Sequence, residues 1–351
     1  MTDLYLTLRI THIIRETEDT NTYLLETISG KAIDYKAGQF LTFLITLHGI
    51  EFRRSYSLSS APGIDKTPAI TVRRKQNGEI SRHILHTWQV GDVVTSLLPS
   101  GRFTHELQTT PRDIFLLAAG SGISPVYSLL KFILKEEPTA KVTMLYSNTS
   151  PQTAIFREGL DRLKTQYPRT FTLIHFYSSG DSHEMPVYRR LSNIVLEPLI
   201  NTRLHYARSL AHFYFCGPPD YMRMIQLTLI FMGFNADRLH KENFVVNTEA
   251  KRAHAAIPQD PSPKEVVLHY NGQAHTLQVP GNDTLLHAAQ MHGLHLPYSC
   301  KGGVCGSCTA ACTEGKVYMA VNEVLTDAEI KEGLILTCVS YITSDKAVVR
   351  W

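Results

Sequence analysis

The chain has 351 residues, 43% hydrophobic and 19% charged, with a formal net charge of +3. That is too long for one hydrophobic core, ordinary in polarity, and too nearly neutral to imply a nucleic-acid partner. No run of about 18 uncharged apolar residues exists, which excludes a helical membrane span.

The start, MTDLYLTLRITHIIRE, has no basic stretch followed by an apolar one, so no signal peptide and a cytoplasmic location are expected. Residues 1 to about 105 read as β-rich. Short alternating runs at 5–10, 22–27 and 69–73 are separated by turn residues, as in a barrel or sandwich. From Asp113 the pattern changes. An apolar run at 114–118 suits a buried parallel strand, followed by a glycine turn and a helix from about Pro125 to Glu136. Further strands are expected at 142–147, 170–177 and 212–216, with helices near 154–166 and 220–232. This alternation predicts βαβ units on a parallel sheet. Residues 247–264, NTEAKRAHAAIPQDPSPK, have linker composition. The expected division is 1–108, 109–247, a linker at 248–264, and a separate domain at 265–351. That last stretch carries five Lys and Arg against eight Asp and Glu, and the remainder 30 against 24. Such a charge difference favours docking, although chance also produces differences of this size.

The segment Ala118-Ala119-Gly120-Ser121-Gly122-Ile123-Ser124-Pro125 follows a strand and opens a helix. Glycines let the backbone approach a pyrophosphate, and a helix N-terminus favours the anion. Ser124 suits the N-cap and Pro125 the first helical position. The third glycine of the dinucleotide fingerprint is missing, so an ordinary βα turn is the plain alternative. A second strand ends at Phe215-Cys216-Gly217-Pro218-Pro219.

The six cysteines are uneven, with none before Cys216 and five from Cys300 to Cys338. Clustering in a long chain points to ligation rather than a disulfide framework. Cys300, Cys305, Cys308 and the distant Cys338 have the C-x4-C-x2-C…C spacing of a plant-type [2Fe–2S] centre. Gly302, Gly303 and Gly306 let the loop close tightly and aim N–H groups at sulfur. A structural zinc site is the alternative, yet zinc sites usually show two C-x2-C pairs and only one is present. Cys312 reads as a packing residue, because four ligands are already supplied.

These motifs resemble the ferredoxin–NADP reductase superfamily, with residues 265–351 similar to a plant-type ferredoxin. Asn271-Gly272 reads as its first hairpin turn, and the segment from Asp283 to Ala289 as the helix before the cluster loop. Arg53-Arg54-Ser55-Tyr56-Ser57 contains R-x-Y-S, the flavin signature of that superfamily. The resemblance implies that Arg54 neutralises a flavin phosphate, Tyr56 stacks on the isoalloxazine and Ser57 offers a hydroxyl near N5. By itself the motif also fits an edge strand with a solvated arginine. Ala37-Gly38-Gln39-Phe40 matches a barrel strand of the superfamily, and Pro99-Ser100-Gly101-Arg102-Phe103 the close of its flavin domain. Val72-Arg73-Arg74 followed by Gly78-Glu79-Ile80-Ser81 matches the second flavin-phosphate segment. Gly120, Gly122, Ser124 and Pro125 would hold the nucleotide pyrophosphate. Cys216, Gly217 and Pro218 would lie beside the nicotinamide, with Glu242 and Phe244 near the flavin–nicotinamide junction. Ser57, Cys216 and Glu242 are the candidate catalytic residues.

The domain order resembles reductases of the phenylacetyl-CoA epoxidase reductase type and, more distantly, the phthalate dioxygenase reductase type. The resemblance implies a multidomain β plus α/β protein: an antiparallel flavin barrel, a parallel α/β nucleotide domain and a β-grasp ferredoxin domain. It implies FAD, a [2Fe–2S] cluster, and NADPH or NADH as donor. The position of Thr149 often holds an arginine in the first type, and Arg157 is a substitute for it. Flavin links the two stages because it accepts an electron pair and releases electrons singly. The expected acceptor is an oxygenase or hydroxylase. Rival readings are a non-oxygenase acceptor such as a hybrid-cluster protein, a flavin reductase with a zinc-stabilised interaction domain, and a redox sensor using Cys312 or Cys216.

Overall fold

The computed structural model describes residues 5–179, 190–244 and 257–351. The first unit has six strands, β1 (Tyr5–Thr17), β2 (Thr20–Thr27), β3 (Phe40–Leu47), β4 (Ile50–Ser57), β5 (Ala69–Arg73) and β6 (Val93–Leu97), and one helix, α1 (Glu79–Thr87). Their order is β4-β3-β6-β1-β2-β5, and the ladders are antiparallel. A bridge from Leu58 to Ile70 brings the end of β4 onto β5 and closes the barrel. Alternate residues, among them Leu8, Ile10, Leu41, Phe43, Ile70 and Val72, fill it.

The second unit has parallel strands β7 (Asp113–Ala119), β8 (Lys141–Asn148), β9 (Phe171–Tyr177), β10 (His212–Cys216) and β11 (Leu239–Glu242). Helices α2 (Ile123–Glu136), α3 (Arg157–Gln166), α4 (Asn193–Arg203) and α5 (Pro219–Phe231) complete it. Two apolar clusters cover the sheet's two faces, one including α2 and α3 residues, the other α4 and α5. The order β11-β10-β7-β8-β9 reverses direction at β7. A crevice therefore opens beyond the carboxyl ends of β7 and β10, the position where open α/β sheets take ligands.

One local expectation fails here. Ser124 is not the N-cap and Pro125 is not the first helical residue. Gly120–Gly122 forms a 3-10 turn that runs straight into α2, with Gly122 as cap. Pro125 falls at the third helical position. There its missing N–H is still among the four with no intrahelical acceptor, so the helix tolerates it.

A buried polar knot ties the first two units together. His105, just past the barrel, sits with its ring nitrogens 2.9 Å from the Tyr214 hydroxyl and 2.7 Å from Glu137. Arg112, 1% exposed, donates to both Glu137 oxygens. Burial opposes ionisation of Glu137, but bonds from His105, Arg112 and the Gln108 N–H hold its carboxyl down to about 2.

The third unit comprises β12 (Pro263–Tyr270), β13 (Gln273–Pro280), α6 (Leu285–Met291), β14 (Thr309–Glu314), β15 (Val317–Met319), α7 (Asp327–Lys331), β16 (Leu334–Leu336), β17 (Ser340–Ile342) and β18 (Lys346–Arg350). Its main sheet, β13-β12-β18-β14-β16, holds α6 against one face, a β-grasp arrangement. Only the β12–β18 pair of that sheet is parallel. Asn271 and Gly272 both have positive φ, 52° and 74°, as the two-residue hairpin requires. The strand opens at Pro263, inside the stretch read as linker. Pro263 pairs with Pro280 at a strand start, where a missing N–H is tolerated. Residues 245–256 of that linker reading lie outside the described residues. No helix among the described residues is long and apolar enough to cross a membrane.

Candidate functional site: a flavin cleft, a nucleotide crevice and a thiol loop

Strand β4 carries the first part. Successive side chains of a strand point to opposite faces, so Arg54 and Tyr56 share one face, and Arg53 and Ser55 the other. Arg54 is exposed, stacked 5.6 Å over Phe52, with Nη1 donating to the Arg53 carbonyl at 2.8 Å. Tyr56 lies 6.2 Å from Phe43, and burial pushes its phenol up. Ser57 is buried and its hydroxyl has no hydrogen-bond partner among the described residues. A buried hydroxyl left unpaired is costly, and an aromatic heterocycle with ring nitrogens and carbonyls against Tyr56 would supply the partner. The residues therefore fit a flavin. Ser57→Ala is expected to lower the rate of flavin reduction by NAD(P)H about 10- to 100-fold, the loss of one well-placed hydrogen bond. Stopped-flow flavin bleaching reads it, with flavin content unchanged.

The second phosphate segment divides its labour unexpectedly. Val72 and Ile80 are buried in the barrel core, which leaves only their backbone for a ligand. Gly78 caps α1. The Ser81 hydroxyl ties this turn, accepting from the Lys75 N–H at 3.0 Å and donating to the Gly78 carbonyl at 3.2 Å. Ser81 thus offers an anion its backbone N–H. Arg73 is held by Asp19 at 2.9 Å, and its Nη1 comes 3.0 Å from where a Cβ on Gly120 would stand. It faces the nucleotide turn.

That turn is set by glycine. A Cβ on Gly122 would meet the Cys216 carbonyl oxygen at 2.2 Å, and one on Gly217 would meet the Ala119 Cβ at 2.9 Å. The two strand-end turns pack backbone against backbone. Tyrosines hold them from the sides: Tyr146 donates to the Gly120 carbonyl at 3.3 Å and Tyr221 to that of Ala118 at 3.2 Å. Ser124 and Pro125 are buried at the start of α2, and Pro218 caps α5.

Cys216 and Glu242 stand opposite each other on β10 and β11. Burial pushes the Cys216 thiol up and the Glu242 carboxyl up to about 8. Burial likewise raises the Cys312 thiol, which donates to the Glu314 carbonyl at 3.2 Å. Raised thiols are poor nucleophiles, which argues against the redox-sensor reading. Phe244 is 44% exposed.

The sequence reading missed the far wall of the crevice. His175 and Tyr177 stack at 5.4 Å at the end of β9, and the His175 Nδ1 is buried with no partner among the described residues. The electrostatics of both rings register Arg157 at the start of α3. The available signal was a His-x-Tyr pair closing a parallel strand beside the nucleotide turn.

The thiol loop is the third part. Cys300 Sγ faces the sulfurs of Cys305 and Cys338, and Cys308 Sγ faces that of Cys338. All six cysteines are free. Among the described residues no side-chain group closes around a single ion. Contacts of Cys300 and Cys338 link the four thiols into one continuous group. Gly302 N–H donates to Cys300 Sγ at 3.3 Å. Gly303 adopts φ +73°, and a Cβ there would meet the Val321 carbonyl at 2.5 Å. The residues fit a [2Fe–2S] cluster.

Three domain families match in succession: the oxidoreductase FAD-binding domain over 7–105, the oxidoreductase NAD-binding domain over 116–227 and the 2Fe-2S iron-sulfur cluster binding domain over 268–343. The last match replaces the zinc alternative. The ferredoxin reductase component of 3-ketosteroid-9-alpha-monooxygenase from Mycobacterium tuberculosis is 32% identical over 362 residues, 99% of this chain and 96% of its own. A component of the 1,2-phenylacetyl-CoA epoxidase of Escherichia coli is 29% identical over 352 residues, 97% and 96% of the two chains. Phthalate dioxygenase reductase has the same fold, with a TM-score of 0.59 at 24% identity over 99% of this chain and 98% of that one. An intact type IV self-sufficient cytochrome P450 monooxygenase matches with a TM-score of 0.74 at 21% identity, over 98% of this chain and 41% of its own.

Proposed function

The chain belongs to the family of ferredoxin reductase components that serve oxygenases, and from that premise we propose how its residues divide the work. It is an NAD(P)H-dependent oxidoreductase with FAD and a [2Fe–2S] cluster, and it delivers electrons to an oxygenase partner. When bound, the flavin accepts an electron pair as hydride and the cluster relays single electrons.

The chain's own residues bind and orient. Arg54 and the first turn of α1 at Gly78–Ser81 neutralise the flavin phosphates. Tyr56 covers the ring, and Ser57 turns a hydroxyl to its reactive edge. Gly120, Gly122 and Arg73 take the nucleotide pyrophosphate, with Arg73 reaching over from the barrel. Arg157, Thr149 and Tyr177 line the ribose end, where NADH and NADPH differ. Cys216, Gly217 and Glu242 shape the nicotinamide pocket, with Phe244 at its mouth. Cys300, Cys305, Cys308 and Cys338 ligate the cluster. A cytoplasmic location belongs to this reading. The domain limits proposed are 1–108, 109–247 and Pro263 onward.

The observation that carries this reading is adjacency. Ser55, one residue from Tyr56, lies 2.6 Å from Ser299, the neighbour of Cys300. Lys241, the neighbour of Glu242, donates to Glu323 of the ferredoxin unit at 3.2 Å. The ferredoxin unit thus touches the body at residues adjoining the proposed flavin and nicotinamide positions. Anaerobic titration with NADH and NADPH in parallel tests it, read by visible absorption and low-temperature EPR. Flavin bleaching followed by a rhombic reduced-cluster signal is expected. Bleaching with no cluster signal in iron-replete protein would break the path after the flavin.

Glu242 gives a pH signature. With its carboxyl at about 8, it is a neutral hydrogen-bond donor at pH 7 and becomes an anion above that value. The rate of flavin reduction by NADH is expected to fall as pH rises through about 8, and the Glu242→Gln profile to stay flat there. The stability sign is the same. The folded state keeps a proton that the unfolded chain releases near its ordinary carboxyl value. Glu242 therefore makes stability fall as pH climbs from that value to about 8.

A further inference from the structure

Strand β11, which carries Glu242, is lightly built. It has four residues, Leu239–Glu242, and lies at the sheet edge with β10 as its neighbour. All four side chains are partly exposed. Short edge strands hold their register poorly, and a slip of one residue turns every side chain to the other face. Here a slip would put Lys241 or Asn243 opposite Cys216 and turn Glu242 out of the crevice. On the far face Leu239 is only partly buried, and Lys241 makes a partly wet pair with Glu323. Such contacts are soft, so a fixed register needs a directional one.

His240 supplies it. Tyr214 and His240 stand opposite each other, two residues before Cys216 and Glu242, so the four share one face of the sheet. The His240 ring stacks on Tyr214 at 4.4 Å. It lies parallel to the His212 ring within 1°, with its Nε2 3.3 Å from His212 Nδ1. The direction of that bond is fixed from behind. Arg112 Nη1, 3.3 Å away, and Arg238 both aim at His212 Nε2. A guanidinium only donates, so Nε2 carries the lone pair and the proton sits on Nδ1. His212 therefore donates to His240 Nε2. Burial, with Arg112 and Arg238 beside it, holds the His212 imidazole down to about 3. Burial, with His105, Arg238 and Arg112 near it, holds His240 down to about 4. Both rings are neutral at physiological pH, the state this bond requires.

Tyr214 ties the clamp to the flavin unit. Phe103, on the segment leaving the barrel, meets its ring edge-on at 5.8 Å, and its hydroxyl is 2.9 Å from His105 Nδ1. A buried polar cluster adds little stability that apolar packing would not, and what it can add is one defined geometry. Two residues of strand, about 6.5 Å, carry that geometry to Cys216 and Glu242.

We propose that His240 is a positioning residue for hydride transfer: clamped by His212 and Tyr214, it sets the register of β11 and so seats Glu242 opposite Cys216. The inference rests on the nicotinamide pocket assigned above. His240 exchanges no proton in the reaction and acts through Glu242, whose carboxyl is raised by desolvation in the crevice and faces the Cys216 thiol.

The test uses the full-length holoprotein and NADH, with flavin bleaching followed by stopped flow from neutral to alkaline pH. His240→Phe keeps a ring on Tyr214 but leaves the His212 donor unpaired. It is expected to slow flavin reduction about 10- to 100-fold with KM little changed. It should also move the fall in rate from about 8 to lower pH by about one unit or more, because Glu242 leaves its desolvated seat. His240→Gln returns an acceptor oxygen to His212 and should recover most of the rate and the position of the fall. His212→Leu breaks the same bond from β10 and should act like His240→Phe, so the test does not depend on the folding of one variant. Retained flavin and iron, with parental cluster reduction after flavin photoreduction, would confine the change to the crevice. A slowed His240→Phe whose rate still falls near about 8 would mean general damage and overturn the proposal. So would His240→Phe at the parental rate, or His240→Gln no better than His240→Phe. A Glu242→Gln variant that keeps the parental fall would instead sink the underlying pocket reading.

Discussion

Replacing Cys305 by serine is expected to abolish cluster reduction while ferricyanide reduction by NAD(P)H stays within about twofold of the parent, as for independent sites. Cytochrome c reduction should fall more than about 100-fold, since a lost ligand must cost at least what a lost supporting contact costs. The reason is where Cys305 sits. Its sulfur pairs with that of Cys300 on a loop shaped by Gly303 and Gly306. The proposed flavin residues Arg54, Tyr56 and Ser57 lie on β4 of another unit. The third unit has its own core, built from β12, β13, α6 and β18, so the barrel does not depend on the loop for its packing. Iron content, the EPR signal and the two dye assays on one preparation read the outcome. Loss of ferricyanide reduction in a variant with normal flavin content would contradict the division of labour.

What could be read in advance depended on how local the cause was. The cysteine spacing and the paired positive φ of Asn271-Gly272 are fixed within a few residues, so the sequence displayed them. The parallel strands were legible because burial on both faces leaves continuous apolar runs, as in β7. Helix α4 went unread, since its apolar positions keep no clear helical period and Pro198 interrupts it. The Ser124 cap was misplaced because Ser-Pro is a good local start signal, while tertiary packing of Gly122 on Cys216 starts the helix earlier. Arg73 shows a contact of the same long-range kind: in the segment read as flavin-phosphate, Asp19 holds its side chain so that it meets Gly120. The contacts of Arg53 with Tyr298 span 245 positions, and no local pattern announces them.

Gly122 is where that long-range packing has its largest kinetic consequence. Gly122→Ala would place a methyl carbon 2.2 Å from the Cys216 carbonyl oxygen, an approach no side-chain rearrangement relieves because the obstacle is backbone. The turn at Cys216–Gly217 must move away, and Gly217 is itself pressed on Ala119 and Tyr221. Displacement there shifts Cys216 relative to the crevice, together with its β11 neighbour Glu242. Misplacing reacting groups by about 1 Å costs on the order of 100-fold. The expected result is a fall of that size in kcat/KM for NAD(P)H, with flavin and iron content retained. Photoreduction of the flavin, which bypasses the nucleotide, should still pass electrons to the cluster at the parental rate. A variant with parental kcat/KM would mean that the two turns separate without consequence and that the nicotinamide pocket is not built from them. Slow transfer after photoreduction would place the damage at the ferredoxin junction, through Lys241, and not in the nucleotide crevice.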